Sequence, residues 1–257
     1  MPHKYKIAKG VFLGLICVCM AGCVTIYNPA TQRNETLLID TASEVKLGAQ
    51  MDQQLQKEIK WEKDPLMVQR LTAIGKKIAA GSDRNDITYQ FRVVKDKEFN
   101  AFAIPGGYVY VNSGLLEATN EDELACVLAH EIGHIAARHS VKRLQAVLGY
   151  QLILGIIFKT GEADSVGQAL DVVFNLVNLG YSRQDEYLAD KLGVRYARRA
   201  GFNPFGMVTF FEKLQKEAQK KGTGFNLVFL SSHPPIEERI KQVKAEISSA
   251  TEIAPTL

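Results

Sequence analysis

The feature that most constrains this chain is the pentapeptide His130-Glu131-Ile132-Gly133-His134, which lies in a stretch with helical character. Side chains four residues apart lie on one face of a helix, so both imidazoles can converge on a single ion. Two neutral imidazoles suit Zn²⁺, and the glutamate between them is placed to act on a water bound to the metal. A pattern this short also arises by chance, in which case both histidines are ordinary polar surface residues.

The residues around the pentapeptide support a helix. Asn120 followed by Glu123 forms a capping-box pattern at the start of the helix. An apolar stripe at helical spacing lies away from the two histidines and consists of Leu124, Leu128, Ile132 and Ile135. We therefore expect one face of this helix to pack against the core and the other to present metal ligands.

Histidine usage strengthens the case for a metal site, because three of the few histidines fall within ten residues. The chain has five: His3, His130, His134, His139 and His233. His139 is the least suited to ligation, since on a continuous helix it lies roughly half a turn away from His130 at ~100° per residue. The metzincin pattern is excluded, because it requires glycine and histidine where this sequence has Ala137 and Ser140.

Residues 1–22 have the character of a bacterial lipoprotein signal peptide. Three lysines precede an uncharged, mostly apolar stretch that ends in Met20-Ala21-Gly22-Cys23, which resembles a lipobox. We expect cleavage before Cys23 and lipidation of its thiol, which place the rest of the chain at the periplasmic face of the outer membrane. The alternative is an uncleaved anchor, because the uncharged stretch 11–27 reaches the ~17 residues that can span a bilayer.

Composition limits the chemistry, the partners and the domain number of the chain after residue 22. Removal of the leader and lipidation of Cys23 leave Cys126 as the single free thiol, and a buried inert thiol is the expectation for it. The formal charge of +3 falls to about zero without the three leader lysines, so no nucleic-acid partner is indicated. The remaining length suffices for one compact domain with a substantial core.

Hydrophobic periodicity predicts an α+β fold that is mainly helical, with a small β-sheet directly before the pentapeptide helix. We assign residues 23–41 to an N-terminal tether, 42–248 to the folded domain and 249–257 to a tail. Helices are predicted at 42–59, 65–80, 184–200, 204–219 and 234–247, and strands at 87–93, 99–104 and 107–112. The apolar runs 144–158 and 163–179 form either a buried helical hairpin or a flap that leans on a membrane beside the site.

A catalytic zinc usually has three protein ligands, and the third is expected downstream as a carboxylate or a histidine. Glu186 and Asp190 are four residues apart on a predicted helix. One of them can therefore bind the metal while the other accepts a hydrogen bond from a ligand histidine. The alternative is a solvated helix face, since three arginines follow in the same helix.

Four segments occur in order and together resemble one family. They are Asn100 to Gly107, His130 to His139, the Ser-Arg-x-x-Glu-x-x-Ala-Asp segment from Ser182 to Asp190, and His233-Pro234 followed by Arg239-Ile240. They resemble the gluzincin peptidases that include HtpX, the CAAX prenyl proteases and the periplasmic proteins BepA and LoiP. The resemblance covers residues 42–247, and with the lipobox it is greatest to the LoiP and BepA type of periplasmic lipoprotein peptidase.

The resemblance implies a zincin-type metalloprotease domain with His130, His134 and Glu186 as zinc ligands and Glu131 as catalytic base. It implies that the backbone of a substrate is held by a strand containing Asn100, Ala101, Phe102 and Ala103. It further implies that His233 either stabilises the oxyanion or caps the zinc in a resting state, supported by Arg239.

The expected function is therefore that of a membrane-tethered zinc metalloendopeptidase acting on unfolded or misassembled exported proteins. The competing hypothesis is a zinc-stabilised lipoprotein that acts as a chaperone or assembly scaffold with a latent protease site. A prenyl-protein protease is disfavoured, because the membrane chamber that it requires is not indicated by the sequence. The oligomeric state is left open.

Overall fold

The computed structural model describes residues 24–158, 180–219, 233 and 236–252. Within these ranges the fold is α+β and mainly helical, which confirms the predicted class. The helices are α1 Thr41–Glu58, α2 Pro65–Ala80, α3 Ser113–Ala118, α4 Glu121–Ala136, α5 His139–Phe158, α6 Arg183–Arg199, α7 Gly206–Gln219 and α8 Ile236–Glu252. The strands are β1 Val24–Asn28, β2 Arg33–Leu37, β3 Gln90–Val94, β4 Ala101–Ile104 and β5 Tyr108–Asn112.

Local capping explains where the key helices begin. The predicted capping box at α4 is confirmed, because Asn120 accepts from the backbone N–H of Glu123 at 2.9 Å and Glu123 accepts from that of Asn120 at 3.0 Å. The predicted start of α2 is also confirmed, with Asp64 accepting from the N–H of Leu66 at 2.8 Å. These caps satisfy N–H groups that the first turn of a helix leaves unpaired.

The main sheet has three strands in the order β3–β5–β4, with β3 parallel and β4 antiparallel to β5. The turn between β4 and β5 requires glycine, since Gly106 and Gly107 have φ angles of 81° and 96°. Among the described strands, β4 lies at the edge of this sheet, as the peptide-binding hypothesis requires. The sheet lies against α2, α4 and the core, and it immediately precedes the pentapeptide helix in the chain.

Residues 24–37, which the sequence assigns to the tether, form an antiparallel hairpin of β1 and β2. This hairpin is attached to the domain rather than extended away from it. The side-chain amide of Asn28 donates to the carbonyl of Ala136 at 3.0 Å, and Lys142 Nζ lies 2.6 Å from Glu35 Oε1. Leu37 is buried in the core. The hairpin escaped prediction because four of the five residues of each strand are exposed or half-buried.

The pentapeptide helix α4 runs through the middle of the core. All residues from Glu123 to Ala136 are buried, so the face expected to present the ligands is packed as well as the apolar face. The apolar face packs against α2, the sheet and α7, whereas the face with the two histidines is covered by α6 and by His233. Burial on both faces shields any chemistry at this helix from bulk water.

A buried ionic network holds α1, the turn after β4 and the end of α4 together. Both carboxylate oxygens of Glu44 are engaged by Arg84, with Nη1–Oε1 of 2.9 Å and Nη2–Oε2 of 2.6 Å. Arg138 Nη1 donates to Glu44 Oε2 at 2.9 Å, and the N–H of Gly106 donates to Oε1 at 3.3 Å. Glu44, Arg84 and Arg138 are each 5% exposed or less.

Several expectations fall outside the described residues: the signal peptide 1–22, the lipidation site Cys23, the helix 163–179 and the end of the tail. The first of the two apolar runs, 144–158, belongs to helix α5, and Val141 and Leu144 of this helix lie in the core. Helix α8 extends to Glu252, a few residues into the assigned tail. In the described ranges, no helix is both long and apolar enough to cross a membrane.

Candidate metal centre

Helix α4 brings the two motif histidines together as its spacing predicts. The Nε2 atoms of His130 and His134 lie 3.0 Å apart, and neither side chain is more than 2% exposed. Burial lowers the pKa of the His134 imidazole to about 3. This imidazole is therefore neutral near pH 7, which is the protonation state that a metal ligand requires.

Helix α6 contributes Glu186, which is fully buried. Its Oε2 lies 3.6 Å from His130 Nε2, and its Oε1 lies 3.4 Å from His134 Nε2. Burial alone raises the pKa of this carboxyl group, but His233 and the hydrogen bonds from His134 and His233 hold it well below its usual value. Glu186 is thus an anion that faces both imidazoles.

Two glycines allow α4 and α6 to approach closely enough for this contact. A Cβ on Gly133 would lie 2.9 Å from the backbone oxygen of Ala189, and one on Gly193 would lie 3.2 Å from the backbone nitrogen of His130. Such distances are shorter than side-chain carbons normally tolerate. The glycine in the pentapeptide is therefore needed for packing between the two helices.

His233 completes the cluster from the segment before α8. Its Nδ1 lies 2.9 Å from Glu186 Oε1 and 3.4 Å from His130 Nε2, and the residue is 2% exposed. One donor atom from each of His130, His134, Glu186 and His233 lies within 4.8 Å of the others, so these four residues could hold a metal ion.

The separations of these donor atoms fit a tetrahedral ion. Bonds of ~2.0–2.1 Å at tetrahedral angles place neighbouring donors roughly 3.4 Å apart. Several donor pairs scatter around this value, from 2.9 Å between His233 Nδ1 and Glu186 Oε1 to 3.6 Å between His130 Nε2 and Glu186 Oε2, and the whole set lies within 4.8 Å. Three imidazole nitrogens and one carboxylate oxygen are a typical donor set for zinc.

Asp190 and Arg239 contact the donor residues on the side away from the centre of the cluster. Asp190 Oδ1 lies 2.8 Å from His130 Nδ1, so the carboxylate can accept the N–H opposite the nitrogen that faces the cluster. Arg239 is fully buried and donates to both oxygens of Asp190 at 2.7 Å. The same guanidinium lies 2.9 Å from Glu186 Oε2 and donates to the carbonyl of His233 at 2.9 Å.

His134 has a corresponding partner that the sequence did not reveal. Its Nδ1 lies 2.8 Å from Nδ1 of His139, whose Nε2 lies 3.3 Å from Asp185 Oδ1. The helical-wheel argument about His139 fails because α4 ends at Ala136 and Arg138 takes a φ of 56°. That left-handed residue turns His139 back towards His134, where it contacts a donor instead of joining the cluster.

Glu131 lies beside the cluster and is fully buried. Neither of its carboxylate oxygens has a hydrogen-bond partner among the described residues, and Oε1 is 3.7 Å from His233 Nε2. Burial raises the pKa of this carboxyl group. A buried carboxylate without partners is unfavourable for folding, which fits a group reserved for a water or a substrate.

The other residues predicted to bind substrate lie on or beside the edge strand. Ala101, Phe102 and Ala103 belong to β4, and Asn100 directly precedes it. Asn100 is 7% exposed, and its side-chain Oδ1 has no hydrogen-bond partner in the described parts of the chain. Its backbone carbonyl accepts from the N–H of Asn112 at 3.0 Å, which fixes the register of β4 on β5.

Comparison with known proteins identifies the family to which these residues belong. The family model described as Peptidase family M48 matches residues 65–247, which include every proposed metal ligand. The chain belongs to peptidase family M48. This membership confirms the resemblance seen in the four sequence segments and the predicted metallopeptidase class.

Three relatives illustrate the range of the M48 match. The beta-barrel assembly-enhancing protease of Escherichia coli is 29% identical over 231 residues, which cover 86% of this chain and 46% of that protein. Metalloprotease LoiP of E. coli is 31% identical over 184 residues, or 70% of each chain. Mitochondrial metalloendopeptidase OMA1 of Schizosaccharomyces pombe is 33% identical over 177 residues, or 68% of this chain and 51% of that one. The chain spans about half the length of the first curated relatives that it matches.

The close packing of α4 and α6 predicts the effect of Gly133→Ala in this M48 chain. The added methyl group forces the helices apart and moves Glu186 away from both histidines, at a cost of ~1–3 kcal/mol for overpacking. We expect a lower melting temperature and weaker metal binding in a chelator competition. Gly155→Ala on α5 is the control, because its Cβ meets nothing within 4 Å. Wild-type metal affinity in Gly133→Ala would contradict this account.

Proposed function

We propose that this chain is a zinc metalloendopeptidase in which His130, His134 and Glu186 bind the metal and Glu131 acts as the base. One observation carries the proposal: three buried donors converge beside a buried glutamate whose carboxylate oxygens have no partner among the described residues. A structural zinc site has no use for an additional unpaired carboxylate, whereas a metalloprotease site of the HExxH type uses one as its general base.

The residues around the cluster divide the chemistry between them. Zinc, when bound, polarises a substrate carbonyl and lowers the pKa of a water to roughly 7. Glu131 accepts a proton from that water and later donates it to the leaving amine nitrogen, and its raised pKa suits both steps. Asp190 and Arg239 fix the orientation of His130 and Glu186 while this happens.

The substrate is proposed to be an extended polypeptide that adds a strand to the free edge of β4. Strand addition uses main-chain hydrogen bonds, so it recognises unfolded segments more than particular sequences. The unpartnered Oδ1 of Asn100 provides an additional acceptor for a substrate N–H. This mode of binding suits a peptidase that removes unfolded or misassembled proteins of the cell envelope.

The proposal is tested with purified protein, an unfolded substrate such as casein, and metal analysis. We expect about one zinc per chain and hydrolysis that stops when a chelator removes it and resumes when zinc is restored. Hydrolysis that persists after complete metal removal, or no hydrolysis by the zinc-loaded protein, would contradict the proposed function.

His233 is proposed to control access to the metal. Its Nδ1 lies within the donor set, so it can take the coordination position that a catalytic zinc keeps open. Its Nε2 is 3.7 Å from Glu131, which also suits a donor to the oxyanion. As a cap on the metal, His233 would make the catalytically competent state a minor population. As a donor to the oxyanion, it would stabilise the transition state.

Replacement of this histidine separates the two roles. We expect His233→Ala to change the rate of casein hydrolysis by about tenfold or more, because a lost oxyanion donor costs ~10²–10³ in rate, whereas a lost cap raises the population of the competent state. The position within the donor set favours the capping role and hence a rise in activity. A fall in kcat would assign the oxyanion role. Unchanged rates on both folded and unfolded substrates would remove His233 from the mechanism.

We further propose that the domain is attached to the envelope through Cys23. The supporting features are the lipobox-like Met20-Ala21-Gly22-Cys23 and a relative named as a beta-barrel assembly-enhancing protease. Mass spectrometry of protein extracted from membranes is expected to show a lipidated N-terminal Cys23. An intact Met1, or an unmodified Cys23, would refute lipidation and favour the uncleaved anchor.

A further inference from the structure

The register of β4 determines which of its backbone groups are free. In an antiparallel ladder, residues alternate between those that bond the neighbouring strand and those that face outwards. The N–H of Asn112 bonds the carbonyl of Asn100, so Phe102 and Ile104 also direct their backbone groups towards β5. The N–H and C=O groups of Ala101 and Ala103 therefore point away from β5, to the edge that no described strand occupies and where a peptide would pair, although Ala101 is 0% and Ala103 6% exposed in this structure.

One of these outward groups is already occupied by a side chain from α5. The hydroxyl of Ser140 donates to the carbonyl of Ala103 at 3.3 Å. Ser140 is only 6% exposed, and its Oγ lies 2.9 Å from the hydroxyl of Tyr181. The pair therefore covers the edge at the end of β4 that is nearer the turn.

Tyr181 connects Ser140 to the residues of the candidate metal centre. Its ring stacks on the imidazole of His134, with centroids 3.9 Å apart and planes inclined by 20°. Because the single proton of the Ser140 hydroxyl goes to Ala103, the Tyr181 hydroxyl is the donor in its contact with Ser140. The covered carbonyl of Ala103 consequently lies close to the donors, with one tyrosine and one serine between them.

The end of β4 near Asn100 differs from the end near Ala103 in its hydrogen bonding. Asn100 offers a buried Oδ1 with no partner in the described ranges, whereas the Ala103 carbonyl has one. The strand thus has an unused side-chain acceptor beside one end and a backbone acceptor that is already engaged at the other. The two ends of the edge are not equivalent as binding sites.

We infer that Ser140, held by Tyr181, is a specificity-determining residue that ends the run of backbone hydrogen bonds available to a bound peptide at Ala103. The inference rests on the proposed peptidase function and names the kind of substrate it prefers. Extended segments gain affinity by growing towards Asn100 and gain none by growing past Ala103. Removal of the serine hydroxyl returns the Ala103 carbonyl to the free edge.

The test is a binding experiment with zinc-loaded Glu131→Gln protein, which keeps the edge and blocks cleavage. Fluorescein-labelled casein peptides are lengthened one residue at a time, separately at each end, and binding is followed by fluorescence anisotropy. With Ser140 present, Kd is expected to stop falling beyond one length on one side. In the Ser140→Ala background, the next residue on that side should tighten binding about 2- to 12-fold, as one net hydrogen bond predicts.

Two further variants separate this role from a general structural one. Tyr181→Phe keeps the ring on His134 but releases Ser140, so a smaller gain on the same side is expected. Ser82→Ala removes a buried hydroxyl that donates to the carbonyl of Ala79 at 2.8 Å, away from β4, and should keep the parental length dependence. The same length dependence with and without the Ser140 hydroxyl would overturn the inference, even where chelator-sensitive hydrolysis of casein by wild-type protein supports the proposed function.

Discussion

Glu131→Gln is expected to keep the metal and lose peptide hydrolysis. The glutamine has nearly the same shape, and the residue is not among the clustered donors, so zinc content should stay at the wild-type level. The amide cannot accept a proton from water, and loss of a general base typically lowers the rate by ~10²–10⁴. The neutral amide also removes an unpaired buried carboxylate, so the protein should be as stable as wild type or more so.

The measurement is the initial rate of casein cleavage at matched zinc content, with thermal unfolding in parallel. Glu121→Gln is the matched control, because its side chain is 71% exposed in the first turn of the same helix. It should hydrolyse casein at the wild-type rate. A Glu131→Gln protein that retained zinc and cleaved casein normally would exclude Glu131 as the base.

Glu44→Ala is expected to produce the largest loss of stability. Glu44 is the shared acceptor for two buried arginines, so its removal leaves Arg84 and Arg138 with only the half-exposed Asp86 as a counter-charge. Breaking a buried ion pair from one side typically costs about 3–5 kcal/mol. For a domain of this size, that corresponds to a fall in Tm on the order of 10 °C.

Thermal and urea unfolding of the zinc-loaded protein measure this effect. Glu117→Ala is the control, because it removes a surface ion pair with Lys97, whose side chain is 86% exposed. Exposed pairs contribute ~0–1 kcal/mol, so its Tm should shift little. Equal stabilities for the two variants would mean that the buried network does not hold the turn after β4 in place.

The parts of the fold that could be predicted depend on local chemistry. The start of α4 follows from Asn120 and Glu123, which cap the helix regardless of distant contacts. The facing of His130 and His134 follows from helix geometry alone. The pairing of Glu186 and Asp190 on one face of α6 was likewise predictable, and the structure places Glu186 in the cluster and Asp190 behind His130.

The parts that could not be predicted depend on backbone turns and on contacts between distant segments. The position of His139 against His134 results from one left-handed residue, Arg138, which no helical pattern shows. The attachment of the β1–β2 hairpin depends on an amide of Asn28 that reaches a carbonyl 108 residues away. The catalytic and ligand roles assigned to the clustered residues stay predictions until the variants are measured.

The residues of the cluster lie far apart in the sequence, so the metal centre can form only late in folding. His130 meets Asp190 and His233 across 60 and 103 residues, and Arg239 closes the arrangement from a further helix. Contacts between such distant segments form only after the intervening chain has collapsed. A partly folded chain therefore carries the pentapeptide without the assembled metal centre, so we expect peptide hydrolysis only after folding is complete.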